Sequence, residues 1–111
     1  MRKSVLVLTI LAALILSGCA TTNIGRIKAD PSRYRNKTVT VDGRVTNSFG
    51  ALVAGFYEIE DETGKIYVIS RSGVPSKGSR VSVRGAVMNG ITVMGKSFGT
   101  AIQERSHKVR D

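Results

Sequence analysis

Residues 56–71 read FYEIEDETGKIYVISR, and this stretch decides the fold class. Tyr57 and Ile59 alternate with Phe56, Glu58 and Glu60, and after the turn 61–64 (DETG) Ile66 and Val68 alternate with Lys65, Tyr67 and Ile69. A period of two is that of a strand with one buried face, so the two runs form an antiparallel hairpin whose inner side carries Tyr57, Ile59, Ile66 and Val68. The turn has its own chemistry. The Asp61 carboxylate can accept backbone N–H groups of its own turn, and Gly64 permits a positive φ there.

The same period extends in both directions. Upstream, in KTVTVDGRVTNSF (37–49), Val39, Val41, Gly43 and Val45 alternate with Thr40, Asp42, Arg44 and Thr46. Downstream, in RVSVRGAV (80–87), Val81, Val83, Gly85 and Val87 alternate with Arg80, Ser82, Arg84 and Ala86, mirroring the first strand, glycine included. A glycine at an inward strand position marks a bulge or a sharp coil, as a small closed barrel requires. The run NSFGALVAG (47–55) reads as a long apolar loop, folded over the barrel mouth or meeting a partner through Phe49 and Leu52. SGVPSKGS (72–79) is a loop broken by Pro75 and Gly78, and MNGITVMGKSFG (88–99) is punctuated by glycine and holds a short hairpin. TAIQERSH (100–107) reads as a weaker last strand and KVRD (108–111) as a charged tail. Ahead of the strands, Ile24 and Ile27 stand at helical spacing before Asp30 and Pro31, which allows a turn or two of helix before proline ends it. Five strands with turns every eight to twelve residues predict an all-β fold, a small five-stranded antiparallel barrel preceded by a short helical segment.

The succession VTVDGRV, FYEIEDETGKIYV and PSKGSRVSVRGAV resembles the small bacterial OB-fold domains, a group that includes the anticodon-binding type and the periplasmic bacterial OB-fold proteins. The shared features are the D-x-T-G hairpin between strands two and three and the P-x-x-G-x-x-V-x-V-x-G run into strand four. The resemblance covers about Asp30 to Arg105, and its motifs concern turns and core, so they speak to fold rather than to function. It implies a helix between strands three and four, for which the chain between Arg71 and Gly78 is too short. The segment from Ile24 to Tyr34 is expected to close a barrel end instead.

The first residues carry a different message. Arg2 and Lys3 precede the apolar run 5–16 (VLVLTILAALIL), which is followed by Ser17, Gly18 and Cys19, the one cysteine of the chain. A basic start, an apolar run and small residues are the layout of a secretory signal peptide, and the run is shorter than the about 20 residues of a membrane-spanning helix. Leu16-Ser17-Gly18-Cys19 resembles the bacterial lipobox. That resemblance implies acylation of Cys19 with palmitate-type chains and cleavage before it; a plain signal peptide is the other reading. The expected organisation is a leader over 1–18, a lipidated tether over 19–26, a barrel over 27–107 and the tail over 108–111. By the same resemblance, Ala20 after the cysteine implies the outer membrane, facing the periplasm. With one cysteine no internal disulfide forms, and the fold must stand on its core.

The 111 residues carry 17 basic and 8 acidic side chains, a net charge of +9. Without Arg2 and Lys3 there remain 93 residues after the leader, with 15 basic and 8 acidic groups and a charge of +7. Such a charge favours anionic partners, and outside the cytoplasm these are envelope polymers and lipids before they are nucleic acid. An enzyme is not expected: His107 is the lone histidine, in a charged segment, no thiol nucleophile is left once Cys19 is lipidated, and no serine motif is present. Glu58, Glu60, Asp61 and Glu62 show no metal-loop spacing, so neither metal nor cofactor is expected. The candidate ligand face is the outward side of strands one to three, with Arg44, Phe56, Tyr67 and Arg71; Arg80 and Arg84 on strand four extend it as a basic stripe or are simply solvated. Rings among guanidiniums suit stacking on sugars or bases, but Phe56 and Tyr67 can equally pair with each other across the hairpin. The sequence therefore reads as a lipid-anchored envelope binding or adaptor module for an anionic polymer, oligosaccharide or protein partner. A structural envelope lipoprotein without specific ligand is one alternative and a single-stranded nucleic-acid binder another, specific nucleic-acid binding being the less expected.

Overall fold

The computed structural model describes residues 21–51, 54–93 and 95–110. Cys19 and the leader lie outside the described residues, as does Leu52. Two short helices, α1 (Ile24–Ala29) and α2 (Pro31–Tyr34), precede five strands: β1 (Thr38–Ala51), β2 (Ala54–Asp61), β3 (Gly64–Ser70), β4 (Arg80–Val93) and β5 (Lys96–Arg110). The strands close into a barrel in the order β1-β2-β3-β5-β4, with β4 returning to β1. All neighbours are antiparallel except β3 and β5, which run parallel over three residue pairs, Tyr67–Ala101, Val68–Ile102 and Ile69–Gln103.

The alternation seen in the sequence is the alternation of burial. Val41, Val45, Tyr57, Ile59, Ile66, Val68, Val81, Val83, Val87 and Ile102 fill the barrel, and Ile24 and Ile27 of α1 pack onto the same core. Each such side chain contributes about 1.5–3 kcal/mol relative to exposure. The helical segment thus closes a barrel end, as the missing helix between β3 and β4 led us to expect. It is held there by backbone N–H groups. Ile24 N–H donates to Asp61 Oδ2 at 2.9 Å and Gly25 N–H to Thr63 Oγ1 at 2.8 Å, so the β2–β3 turn receives the start of α1. The same Asp61 carboxylate accepts Thr63 N–H and Gly64 N–H through Oδ1 at 2.7 and 3.1 Å. Helix α1 ends at Ala29 after six residues, just ahead of Pro31 as expected, and Pro31 then opens a second short helix. The proline takes the first turn of α2, where its missing N–H costs nothing, behind Asp30 as the cap.

The two inward glycines mark the barrel's corners. A Cβ on Gly43 would stand 3.0 Å from the Glu60 carbonyl oxygen and 3.2 Å from Ile59 Cβ, and β1 slips register just beyond, between Val45 and Asn47. A Cβ on Gly85 would fall on the Gln103 carbonyl oxygen, beside a second slip between Arg84 and Gly85.

Three segments differ from the sequence reading. The run 47–55 is not a loop over the mouth: β1 continues to Ala51 and pairs with β2 through Phe49–Phe56, Gly50–Gly55 and Ala51–Ala54. Gly50 and Gly55 face each other across this ladder, where their backbones approach too closely for a Cβ. The hairpin within 88–99 is the far end of a continuous β4–β5 pair that reaches Val93–Lys96. Finally, β5 is the longest strand and not a weak one, and its charged residues 108–110 still pair with β4, since a strand with one solvated face carries charges without loss.

Candidate functional site

Barrel closure brings three arginines from distant parts of the chain into one row. Arg44 on β1 stands opposite Arg80 on β4, and Arg80 stands opposite Arg110 on β5. Directly paired residues share a face, and like charges there repel. Neither ion pair among the described residues, Lys65–Glu60 at 3.4 Å and His107–Glu104, involves these guanidiniums. They line a cleft of about 830 Å³. The rest of its lining includes Asp42, Glu60, Asp61 and Glu62, with Asn23 and Thr63 beside them. Hydrogen bonds from the Thr63 hydroxyl and from the N–H groups of Ile24, Thr63 and Gly64 outweigh partial burial, the largest single influence, and hold the Asp61 carboxyl below its usual range. The cleft therefore holds guanidinium donors among carboxylates, and Glu60 is the direct strand neighbour of Arg44.

Phe56 and Tyr67 face outward as the period demands, and they do meet, edge to face at 6.0 Å between ring centroids. Two rings absent from the sequence reading of this face complete the group: Phe98 on β5, at 5.2 Å from Phe56 and 5.0 Å from Tyr67, and Phe49, at 5.0 Å from Phe56. Phe56 and Phe98 are buried in this second cluster, Tyr67 is half-buried, and Phe49 is 45% exposed. Arg71 lies elsewhere, in a smaller cleft of about 290 Å³ with Arg105 and Glu104. Arg84 is exposed on β4 between Thr40 and Ser106 and lines neither cleft. The five residues singled out in the sequence are thus spread over several places, and only Phe56 and Tyr67 touch.

A third group was not foreseen. The Glu104 side chain is 1% exposed and gathers four partners: the Tyr57 hydroxyl, Ser70 Oγ at 2.7 Å, Ser72 Oγ at 3.2 Å and His107 Nδ1 at 2.6 Å. Strict alternation would place Glu104 and Ser106 together. The register slip pairs Gly85 with Glu104 but Arg84 with Ser106, leaving Arg105 over, so that Glu104 and His107 share a face. The inward Gly85 was the available signal. His107 is accordingly not a solvated surface residue; its side chain is 18% exposed, and its ring stands edge-on to Tyr57. Burial first, then the hydrogen bond to Glu104 and that carboxylate's charge, raise the Tyr57 phenol far above its ordinary value. Both serines and the histidine converge on the carboxylate, and among the described residues no serine hydroxyl is bonded to the imidazole, so Glu104 is the centre that ties β2, β3 and β5 together. Among the described residues no group of His, Cys, Asp or Glu is placed to hold a metal ion, and no helix is long and apolar enough to cross a membrane.

The barrel, its strand order and its helical plug define an OB-fold. Comparison with solved structures agrees. The chain is similar to part of the asparaginyl-tRNA synthetase from Pyrococcus horikoshii, with a TM-score of 0.62 at 19% identity over 82% of this chain and 23% of that one. It is similar likewise to a protein assigned as an aspartyl-tRNA synthetase from Leishmania major Friedlin, with a TM-score of 0.60 at 15% identity over 81% of this chain and 21% of that one. The chain spans less than a quarter of either enzyme, and at these identities the likeness concerns the fold. No family model matches the sequence, and no curated protein matches it.

Proposed function

We propose that this chain is a non-enzymatic binding module, held at the cell envelope by acylated Cys19, that takes an anionic oligosaccharide or related envelope polymer in the cleft of Arg44, Arg80 and Arg110. The observation that supports this most is the in-register row of three guanidiniums, none of them in an ion pair among the described residues, in a cleft that also holds Asp42, Glu60, Asp61 and Glu62. Guanidiniums recognise carboxylate, sulfate or phosphate groups through paired N–H donors, while carboxylates accept hydroxyl protons. An acidic glycan brings both groups on one chain. A phosphate-dense strand adds negative charge beside Asp42, Glu60, Asp61 and Glu62, and among the described residues no aromatic ring lines this cleft for its bases to stack upon.

The envelope setting rests on Leu16-Ser17-Gly18-Cys19 behind its apolar run. Cys19→Ser should abolish incorporation of labelled palmitate, and unchanged labelling would refute the anchor. The ligand reading is tested by titrating oligogalacturonate, a carboxylated glycan, against the barrel and against an Arg44→Gln, Arg80→Gln, Arg110→Gln variant. Loss of at least tenfold in affinity is expected, with a labelled oligonucleotide bound only at low salt. Equal affinity for the variant would favour a structural envelope protein without specific ligand. Oligonucleotide binding that persists at about 200 mM salt would favour the single-strand reading, to which the fold likeness lends its support.

A further inference from the structure

The aromatic group on the outer face surrounds an ammonium ion. Lys96 Nζ stands 4.3 Å from the Tyr67 ring centroid, 5.5 Å from Phe56, 5.6 Å from Phe98 and 5.8 Å from Phe49. All four lie within the roughly 6 Å over which a ring quadrupole attracts a cation. The rings come one each from β1, β2, β3 and β5, and they are four of the six aromatic residues in the chain. Phe56 and Phe98 are the buried floor, Tyr67 a wall, and Phe49 the open rim.

What holds the lysine there is informative. Its ammonium donates to the Tyr67 hydroxyl at 3.1 Å, and among the described residues no carboxylate lies within ion-pair distance of it. Glu58 is opposite Tyr67 in register, but its Oε1 accepts from Thr46 Oγ1 at 2.7 Å and Asn47 Nδ2 at 3.5 Å. A primary ammonium has three N–H donors and is strongly hydrated, so a pocket of ring faces with one hydroxyl serves it poorly. A trimethylammonium group has no N–H to satisfy and presents methyl groups to every ring.

We propose that Phe49, Phe56, Tyr67 and Phe98 form a binding site for a methylated ammonium headgroup of the choline type, and that Lys96 is its internal occupant, displaced when the ligand enters. Displacement needs no movement of the sheet. Lys96 is exposed, and rotation about its own side-chain bonds carries the ammonium into solvent. The lysine sets a threshold: tethered beside the cage, it competes at an effective concentration in the millimolar range. It also excludes small inorganic cations that would not repay its removal. This site is separate from the arginine cleft, and its test does not depend on that reading.

The test uses choline chloride as probe, with ring resonances of Tyr67 and Phe98 as the readout and sodium chloride at equal ionic strength as the control. Lys96→Ala empties the cage and should bind choline at least tenfold more tightly than the wild type, with saturable ring shifts. Lys96→Met, which refills it with an uncharged chain, should bind no better than the wild type. In the unaltered protein the Lys96 amine should resist acetylation relative to other exposed lysines, and choline should lift that protection; this second measurement requires no variant to fold. Phosphatidylcholine vesicles in place of choline distinguish a lipid headgroup from a free solute by whether the protein without its anchor sediments with them. A folded Lys96→Ala variant with no saturable shift, or a Lys96 amine that reacts as freely as its neighbours, overturns the proposal.

Discussion

Tyr57→Phe removes one oxygen atom and leaves every apolar contact of the ring in place, which makes it a sharp probe of the knot around Glu104. Tyr57 is wholly buried, and the Glu104 side chain it serves is 1% exposed, so water cannot replace the lost donor. A hydrogen bond to a charged group under those conditions is worth about 1.5–3 kcal/mol. Ser70, Ser72 and His107 remain as partners of the carboxylate, which places the expected loss near the lower end, at about 2 kcal/mol. For a domain of this size each kcal/mol moves Tm by about 4–8 °C, so the variant should melt about 10 °C lower. Glu104→Gln and the double variant complete a cycle, and the coupling should be of the order of 1 kcal/mol or more, because both substitutions remove the same contact. The assay is thermal unfolding followed by far-ultraviolet dichroism. A Tyr57→Phe protein that melts within about 2 °C of the parent would refute the argument, since it would mean that the phenol reaches solvent or contributes nothing to Glu104.

The pH dependence of the same knot follows from the raised phenol. The stability it supplies is fully present below the ordinary tyrosine value and is lost as pH rises beyond it, so the Tyr57 ring resonances should stay those of the phenol until the alkaline unfolding transition itself. Asp61 behaves in the opposite sense. Its lowered value stabilises the fold above the ordinary carboxylate range and ceases to do so as pH falls through and below that range, so the stability gap between the parent and Asp61→Asn should be clear at pH 6 and close below about pH 4 in chemical denaturation. Gly85→Ala sets a Cβ against the Gln103 carbonyl and should cost about 2–3 kcal/mol, whereas Gly99→Ala, with open space around it, should be near neutral by the same measurement.

Much of the barrel could be read from the chain because one physical rule governs it. Each valine and isoleucine placed inward by the period of two in strands one to four is buried, and the D-x-T-G turn bonds its own amides as its residue types require. What could not be read depends on register between strands far apart in sequence. Arg44 and Arg80 could be read as outward residues of a basic face, but nothing in the sequence joined them to each other or to Arg110 in the charged tail. Only the closing of β1 on β4 and of β4 on β5 turns them into a row. Glu104 and His107 were hidden by a single inserted residue, which inverts the facing of everything beyond it. Phe98 was hidden because a short hairpin within 88–99 does not fix which face its residues take, whereas the continuous β4–β5 ladder pairs Phe98 with Ile91.

The short parallel pairing of β3 with β5 gives these unforeseen residues a common meaning. A hoop is as strong as its joint, and here the joint has three residue pairs of backbone while β4 and β5 are laced along thirteen. At one end of the joint Tyr67, itself paired with Ala101, packs on Phe98; just beyond the other, Ser70 is bonded to Glu104. Side chains therefore act as clasps where the backbone ladder is shortest. The outer aromatic group and the inner carboxylate, so different in chemistry, share the task of keeping the ring from springing open, and any ligand that engages either of them would also pull on the fastening of the barrel.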